Sequence, residues 1–325
     1  MKRLAALYAW LIPFVCLLSA PATWAQSFPE KPVRVIMPFP AGSTLDTVAR
    51  LVGEKLKDAT GHSFILDHKP GAGGIIAAQT LMQSIPDGYT LLFASSGMLS
   101  INPHTYQSLP YDPFKDFAPV TMGVASQMVF AANGSVPAGT LSEFLAYAKG
   151  NPGKVAFASF TAGNPSHFAG IMLNQLAGID MLHVPYKGSP PAVQDLLGGQ
   201  VQSAFLPLIA VKPHFEQGKL KILAATGRER SPLLPNVPTF VELGFPKLEV
   251  YIWAGFVAPV KTPAAIIQKL NADLVRALRD AEVRAKLQAI DLPPVPGSPE
   301  DFTRWLRGDF ERWESAVKAS GFKAD

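Results

Sequence analysis

The fold is decided by one stretch of sequence, VRVIMPFPAGSTLD at residues 33–46. Its apolar first half predicts a strand over Val33–Phe39, and the pattern beyond it predicts an amphipathic helix over Thr44–Ala59. The Pro/Gly loop between them places a helix N-terminus directly after the end of a strand. Backbone N–H groups and the positive end of the helix dipole then face whatever lies above the loop. The stretch therefore predicts an α/β fold with an anion-binding loop.

A second segment repeats this arrangement near residue 160. The strand predicted over Val155–Ser159 is followed by a Gly- and Pro-containing loop and by a helix predicted over Ser166–Leu176. We expect Ser166 to cap this helix and His167 to lie in its first turn. Catalysis by a Ser166–His167 pair is not expected, because adjacent side chains on a helix do not face each other.

Each loop also has an interpretation without a ligand. In the first loop, Ser43 or Thr44 could simply cap the helix while Asp46 complements its dipole. In the second, His167 could pack or cap locally. Ser95 and Ser96, which follow a third predicted strand, could bind a ligand or only turn the chain.

Strand-like and helix-like segments alternate along the rest of the chain, which predicts two α/β units with helices on the sheet faces. We expect one lobe to comprise residues 26–125 and 228–325 and the other to comprise residues 126–227. The chain would pass between the lobes near Gly123–Phe130 and return near Ala224–Arg230. Such a pair of crossovers forms a hinge, and ligands bind in the cleft between the lobes. Aromatic residues near strand ends are expected mainly in the core, with one or two at the cleft: Phe39, Tyr186, Phe205 and Trp253.

Residues 1–25 have the pattern of a secretory signal peptide, with Lys2 and Arg3 before an apolar run and small residues near Ala25. The apolar run is too short to span a bilayer and contains Pro13. Cys16, the single cysteine, lies inside this segment, so the mature chain would have no disulfide and no cysteine metal site. The sequence therefore predicts an exported, periplasmic protein.

Several function classes are disfavoured by what the sequence contains. The formal charge of +4 falls to +2 when Lys2 and Arg3 are removed, and no basic block remains, which disfavours nucleic acid as a partner. Gly71-Ala72-Gly73-Gly74 lacks the last glycine of a dinucleotide fingerprint. The six histidines show no metal-ligand spacing, and Ser166 lacks the flanks of a nucleophile elbow. We expect no cofactor, no metal and no catalytic residue.

Several motifs of the chain resemble those of one known protein family. PFPAG at residues 38–42 with DTVAR at 46–50 resembles the opening motif of the Bug family, the solute-binding proteins of tripartite tricarboxylate transporters. Further motifs of that family follow in order: KPGAGG at 69–74, PDGYTLL at 86–92, LPYDP at 109–113 with DFAPV at 116–120, HVPYKGS at 183–189, DLLGGQV at 195–201, and SP at 231–232 with LPNVPT at 234–239. The resemblance covers essentially the whole chain after residue 25.

This resemblance implies a type II periplasmic-binding-protein fold, in which two α/β lobes close like a Venus flytrap on a small carboxylated solute. It also implies delivery of that solute to membrane permease subunits. In the family the two loops hold one ligand carboxylate. Carried over to this chain, the resemblance implicates Ala41, Gly42, Ser43 and Asp46 from the first lobe and Ser159, Thr161, Gly163, Asn164, Ser166 and His167 from the second. Ser95, Ser96, Tyr186 and Phe205 complete the set of predicted ligand-binding residues.

Some positions depart from the family pattern. Ser43 stands where a second glycine is common, and Phe160 and Thr161 stand where small residues are common. After Phe205, where the family often has a polar residue that contacts the distal end of the ligand, this chain has Leu206 and Pro207. We therefore expect a less polar ligand, such as an aromatic or aliphatic monocarboxylate.

Two alternatives to transport remain open. A periplasmic sensor partner would bind a solute in the same fold and then dock on a receptor protein. A secreted hydrolase would use His167 or Asp46, but it needs a nucleophile, a base and an orienting group within reach of one another, and the sequence supplies no such set. A hinge-closing protein of this kind is expected to be a monomer.

Overall fold

The computed structural model describes residues 28–324. The predicted signal peptide and Cys16 lie outside these residues. Within them the strands are β1 Val33–Met37, β2 Phe64–His68, β3 Thr90–Ser95, β4 Phe117–Asn133, β5 Ala156–Ser159, β6 Leu182–Pro185, β7 Ser203–Pro207, β8 Leu220–Ala225 and β9 Tyr251–Pro259. The α-helices are α1 Thr44–Thr60, α2 Ile75–Met82, α3 Asn102–Thr105, α4 Leu141–Lys149, α5 Pro165–Ala177, α6 Ser189–Leu197, α7 Leu208–Glu216, α8 Ala264–Arg279, α9 Ala281–Ala289 and α10 Pro299–Ser320.

The strands form one mixed sheet in the order β2-β1-β3-β9-β4-β7-β5-β6, with β8 also paired to β4. The α/β arrangement predicted from the alternating strand-like and helix-like segments is confirmed, since β1 pairs in parallel with both β2 and β3. A second parallel set comprises β5, β6 and β7. We call the strands from β2 to the first part of β4 the first sheet segment, and those from the last part of β4 to β6, with β8, the second sheet segment.

Strand β4 belongs to both segments. Phe117–Gln127 pairs with β9 in the first, whereas Met128–Asn133 pairs with β7 and β8 in the second. In the sequence, only the part near Met128–Ala132 has the apolar pattern of a strand, and only that part is predicted as one. The earlier part was missed because it contains Pro119 and Gly123, which disfavour a strand. The ladder accommodates them with register shifts between Pro119 and Thr121 and between Met122 and Val124.

Each segment has its own buried core. Phe93 and Phe256 stack in the first with ring centroids 4.5 Å apart. In the second, the ring of Phe205 lies 4.8 Å from that of Phe130 and 5.8 Å from that of Phe240. Helix α10 contributes to both segments, because its Phe302 and Leu306 pack in a core of the first and its Trp313 and Val317 in a core of the second.

Two local features differ from the sequence predictions. Residues beyond β3, which were expected to bind a ligand or only to turn the chain, form a π-helical turn over Gly97–Ile101 that continues into α3. Helix α5 is capped by Asn164 and not by Ser166, because Pro165 occupies the first helical position and has no N–H to satisfy. Ser166 instead lies in the first turn, fully buried.

Candidate ligand-binding site

A cavity of about 730 Å³ lies at the ends of the strands of both sheet segments. Its walls come from the loops that follow β1, β2, β3, β5, β6 and β7 and from the segment after α9, together with residues of β4 and β9. In open α/β sheets, ligands bind in the crevice outside the carboxyl ends of the strands, which is where this cavity lies. Its volume suits a small molecule.

The first loop is held in shape by Gly42 and Asp46. Gly42 adopts φ +79°, and its N–H donates to Oδ2 of Asp46 over 3.0 Å. Ser43 caps α1, its Oγ accepting from the N–H of Asp46 over 3.2 Å. Within residues 28–324, the N–H groups of Thr44 and Leu45 make no hydrogen bond, and both residues line the cavity. The first turn of α1 therefore offers two backbone donors there.

Asp46 lies behind this loop and not on the cavity wall. Its carboxylate also accepts from Nε of Arg50 over 2.9 Å and lies 2.7 Å from Nε2 of His68. Burial favours the neutral acid, but the hydrogen bonds from Gly42, His68 and Arg50 outweigh this effect and lower the pKa of Asp46 to about 2. Asp46 is therefore an anion at neutral pH, and it orients the loop.

The second loop has the same construction with different side chains. Gly163 adopts φ +70°, and its N–H donates to Nδ1 of His167, four residues on, over 3.2 Å. Oδ1 of Asn164 accepts from the N–H groups of Ser166 and His167 over 3.0 and 3.2 Å. The Nδ2 group of Asn164 is buried and has no hydrogen-bond partner among residues 28–324, and Asn164 lines the cavity. A buried donor without a partner is costly unless a bound group accepts its hydrogen bond.

A pair of stacked imidazoles supports the second loop from behind. The rings of His167 and His183 lie 3.8 Å apart at 15°, and Nε2 of His183 lies 2.7 Å from Oγ of Ser159. Burial, and for His167 also the neighbouring His183, lowers the pKa of His167 to about 3 and of His183 to about 4. Both rings are therefore neutral at pH 7, which lets Nδ1 of His167 accept from Gly163.

The cavity brings together half of the residues that the sequence singled out. Those on its wall are Gly42, Ser43, Ser95, Ser96, Thr161, Gly163 and Asn164. The others do not line it: Ala41, Asp46, Ser159, Ser166, His167, Tyr186 and Phe205. Phe205 is fully buried among other aromatic rings, and the hydroxyl of Tyr186 donates to Asp195 over 2.6 Å. Of the other aromatics considered, Phe39 and Trp253 line the cavity.

Asp291 is a cavity residue that the sequence reasoning missed. Only 9% of it is exposed, and the hydroxyls of Ser126 and Ser231 donate to its carboxyl over 3.1 and 3.4 Å. Burial raises its pKa to about 6, although the two serines act in the opposite direction. The family pattern places a polar residue after Phe205, where this chain has Leu206 and Pro207; here Asp291 supplies an acidic group to the cavity from a distant part of the chain. The available signal was a lone carboxylate in the apolar run Ile290–Leu292.

In the part of the chain that the structure describes, no group of three or more His, Cys, Asp or Glu side chains is arranged to hold a metal ion. Nor does any helix between residues 28 and 324 combine the length and apolarity needed to cross a bilayer.

Comparison with known proteins relates this chain to periplasmic solute-binding proteins. BugT of Bordetella pertussis is 34% identical over 307 residues, 94% of each chain. The structure of Rpa4515 from R. palustris, with adipate, is 32% identical with a TM-score of 0.81 and covers 91% of this chain and 99% of that one. MatC (Rpa3494) from Rhodopseudomonas palustris, with bound malate, is 33% identical with a TM-score of 0.77 and covers 89% and 100%.

The structure of the periplasmic binding protein BugD is also similar, at 32% identity and a TM-score of 0.77 over 91% of this chain and 99% of that one. The predicted two-lobed periplasmic-binding-protein fold is thus confirmed. A family model described as the tripartite tricarboxylate transporter family receptor, TctC, matches residues 48–322. Because this match runs from within α1 to beyond the end of α10, the chain belongs to that receptor family.

Proposed function

We propose that this protein captures a small carboxylate in the cavity and delivers it to the membrane permease subunits of a tripartite tricarboxylate-type transporter. The observation that carries the proposal is the convergence of two helix N-termini, those of α1 and α5, on one cavity. Thr44 and Leu45 offer backbone N–H groups from one side, and Asn164 offers an unpartnered Nδ2 from the other. Donors of this kind, at the positive ends of two helix dipoles, suit a carboxylate.

The similar proteins support the choice of ligand class. Rpa4515 is described with adipate and MatC with malate, and both ligands are carboxylates. Both proteins align with about nine-tenths of this chain. A carboxylate is therefore the first class of solute to test.

The positions of the potential catalytic side chains favour ligand binding without catalysis. Neither His167 nor Asp46 lines the cavity. The buried Ser159, which lies within hydrogen-bond distance of His183, is fully inaccessible. A nucleophile has to reach its substrate. The positions of these side chains therefore support a structural role for them and disfavour the hydrolase alternative.

We further infer that the protein closes by hinge motion of two lobes, residues 26–125 with 228–325 and residues 126–227. The first crossover would lie in β4, where pairing with β9 ends at Gln127 and pairing with β7 starts at Met128. The second would follow β8, near Thr226, whose N–H donates to the carbonyl of Met128 over 2.8 Å. Closure would bring the α1 and α5 loops together on one ligand, so that binding favours the closed state.

Within this proposal the predicted site residues divide into two groups. Those on the cavity wall would contact the ligand, and Asp46, Ser159, Ser166 and His167 would hold the loops in shape. Residues 1–25 would direct export to the periplasm and be removed there, and the mature protein would act as a monomer.

The proposal is tested by thermal unfolding of the refolded protein, which has been freed of bound solute. The panel comprises adipate, malate, citrate, benzoate, hexanoate and several amino acids, with adipamide and benzamide as uncharged controls. We expect at least one carboxylate to raise Tm by several degrees and the two uncharged amides to have no effect, because a ligand that binds only the native state stabilises it by mass action. An unchanged Tm with every carboxylate would contradict the proposal.

A further inference from the structure

The backbone conformation at position 291 does not require an aspartate. Asp291 follows α9 in a left-handed conformation, φ +55°. Its N–H bonds to the carbonyl of Gln288 over 3.0 Å, and the N–H of Leu292 bonds to that of Leu287 over 2.9 Å. These two bonds form a Schellman motif, whose left-handed position is normally glycine or asparagine. An aspartate here carries a backbone cost that glycine would not.

The carboxyl of Asp291 is only partly compensated. The Ser231 contact, at 3.4 Å, is long for an O–H donor, and the Ser126 hydroxyl also lies 3.1 Å from the carbonyl of Gln127. Between residues 28 and 324, no Lys, Arg or His forms an ion pair with it. Its immediate neighbours on the cavity wall, Ile290 and Leu292, are apolar. A buried carboxylate in such surroundings needs a positive or donating partner.

We propose that Asp291 is a specificity-determining residue of the cavity, and that it selects solutes with a positively charged nitrogen group in addition to a carboxylate. This inference rests on the proposed function, since the carboxylate would be held by the α1 and α5 loops. The carboxylate of the ligand would accept hydrogen bonds from the unpartnered donors at one part of the cavity wall. Its positively charged nitrogen would pair with the carboxylate of Asp291 at another. The preferred ligand class is therefore zwitterionic, and not the apolar monocarboxylates that Leu206 and Pro207 led us to expect.

The test uses three matched pairs of acids that differ only by an ammonium group in place of a methyl group. They are 2-aminobutyrate and 2-methylbutanoate, 5-aminopentanoate and hexanoate, and 4-(aminomethyl)benzoate and 4-ethylbenzoate. Calorimetric titration of the solute-free, full-length mature protein at pH 7.5 gives the Kd of each. We expect the amino member of at least one pair to bind roughly tenfold more tightly or better, because a hydrogen bond to a charged group contributes about that much to affinity.

Two variants assign this preference to the carboxyl. Asp291→Asn keeps the shape of the side chain without the charge, and Asp291→Gly suits φ +55° and is expected to fold well even if the asparagine variant does not. Both should reduce the preference to roughly threefold or less. Ser231→Ala is the control, because Ser231 does not line the cavity and its loss leaves the charge of Asp291 in place. This variant should keep the preference.

The outcomes separate the inference from the proposed function. If hydrocarbon members bind as tightly as their amino partners, or if the preference survives in both Asp291 variants, the role of Asp291 is overturned and carboxylate capture stands. If none of the six acids and none of the thermal-unfolding panel binds, both are overturned.

Discussion

The N–H of Gly42 donates to the carboxylate of Asp46 over 3.0 Å, and this contact ties the first loop to the first turn of α1. The N–H of Gly163 makes the equivalent contact with Nδ1 of His167. In both loops a glycine with positive φ bonds to a side chain four residues on, in the first turn of the helix. The N–H groups of the two glycines thus fix the conformation of the loops, and other donors remain to bind a ligand.

Replacement of Gly42 by alanine tests this positioning role. A Cβ at Gly42 would meet no atom within 4 Å, so the cost is the strain of φ +79° alone, about 1 kcal/mol. Gly218, with φ +71° and equally open space, does not line the cavity and is the matched control. We expect Gly42→Ala and Gly218→Ala to lower the free energy of unfolding by similar amounts, whereas only Gly42→Ala weakens carboxylate binding. Equal affinities in calorimetry would contradict the role of the loop.

Asn164→Asp separates helix capping from ligand binding. Aspartate caps a helix about as well as asparagine, so we expect the free energy of unfolding to change by less than about 1 kcal/mol. The same change replaces the unpartnered Nδ2 donor with a negatively charged oxygen next to the proposed carboxylate position. Affinity for the best carboxylate should fall roughly tenfold or more. Retained affinity, measured by calorimetry, would mean that Asn164 only caps α5.

Asp46→Asn tests whether the buried charge stabilises the first loop. The folded-state pKa of Asp46, about 2, lies below the ordinary 3.8, so its charge contributes stability above pH 3.8 that is lost as the pH falls through 2. We expect the variant to be less stable by about 2 kcal/mol at pH 7 and the difference to shrink towards pH 2. Urea unfolding between pH 2.5 and 7 measures this. Asp58→Asn, at an exposed position of α1, should change stability by less than about 0.5 kcal/mol throughout.

Asp291→Asn has the opposite expectation. The folded-state pKa of Asp291, about 6, lies above 3.8, so the folded protein binds this proton more tightly and loses stability as the pH rises from 3.8 to 6. The asparagine variant avoids that loss. We expect it to be more stable than the parent at pH 7, by up to about 3 kcal/mol, and equally stable near pH 3.8. A variant that is less stable at pH 7 would show that the charge of Asp291 serves the fold and not the cavity.

The parts of the fold that depend on local pattern were predictable from the sequence. The apolar run at Val33 and the amphipathic pattern after Thr44 identify β1 and α1 within two residues of their observed ends. The early part of β4 was not predictable, because its pairing with β9 overrides the poor strand propensity of Pro119 and Gly123. The turn over Gly97–Ile101 was missed for a related reason, since its Met98 and Leu99 pack in a core of the first sheet segment and its Ile101 packs in a core of the second.

The same distinction applies to the site. Gly42 and Gly163 were found because a glycine between a strand and a helix has a local signature. Asp291 was not found, because its position on the cavity wall depends on how the segment after α9 packs against β4, where the N–H of Ala125 donates to the carbonyl of Pro293 over 3.3 Å. Phe205 lies within β7 and was considered for the cleft, but it faces the aromatic core. Sequence periodicity indicates that a residue is buried, but it does not indicate whether that residue packs in the core or lines the cavity.

The most direct test of the central claim is a crystal structure of the protein with the carboxylate that gives the largest rise in Tm. We predict that one carboxylate of the ligand lies between the N-termini of α1 and α5, accepting hydrogen bonds from the N–H groups of Thr44 and Leu45 and from Nδ2 of Asn164. A ligand bound elsewhere, or one that leaves Nδ2 of Asn164 without a partner, would contradict the account.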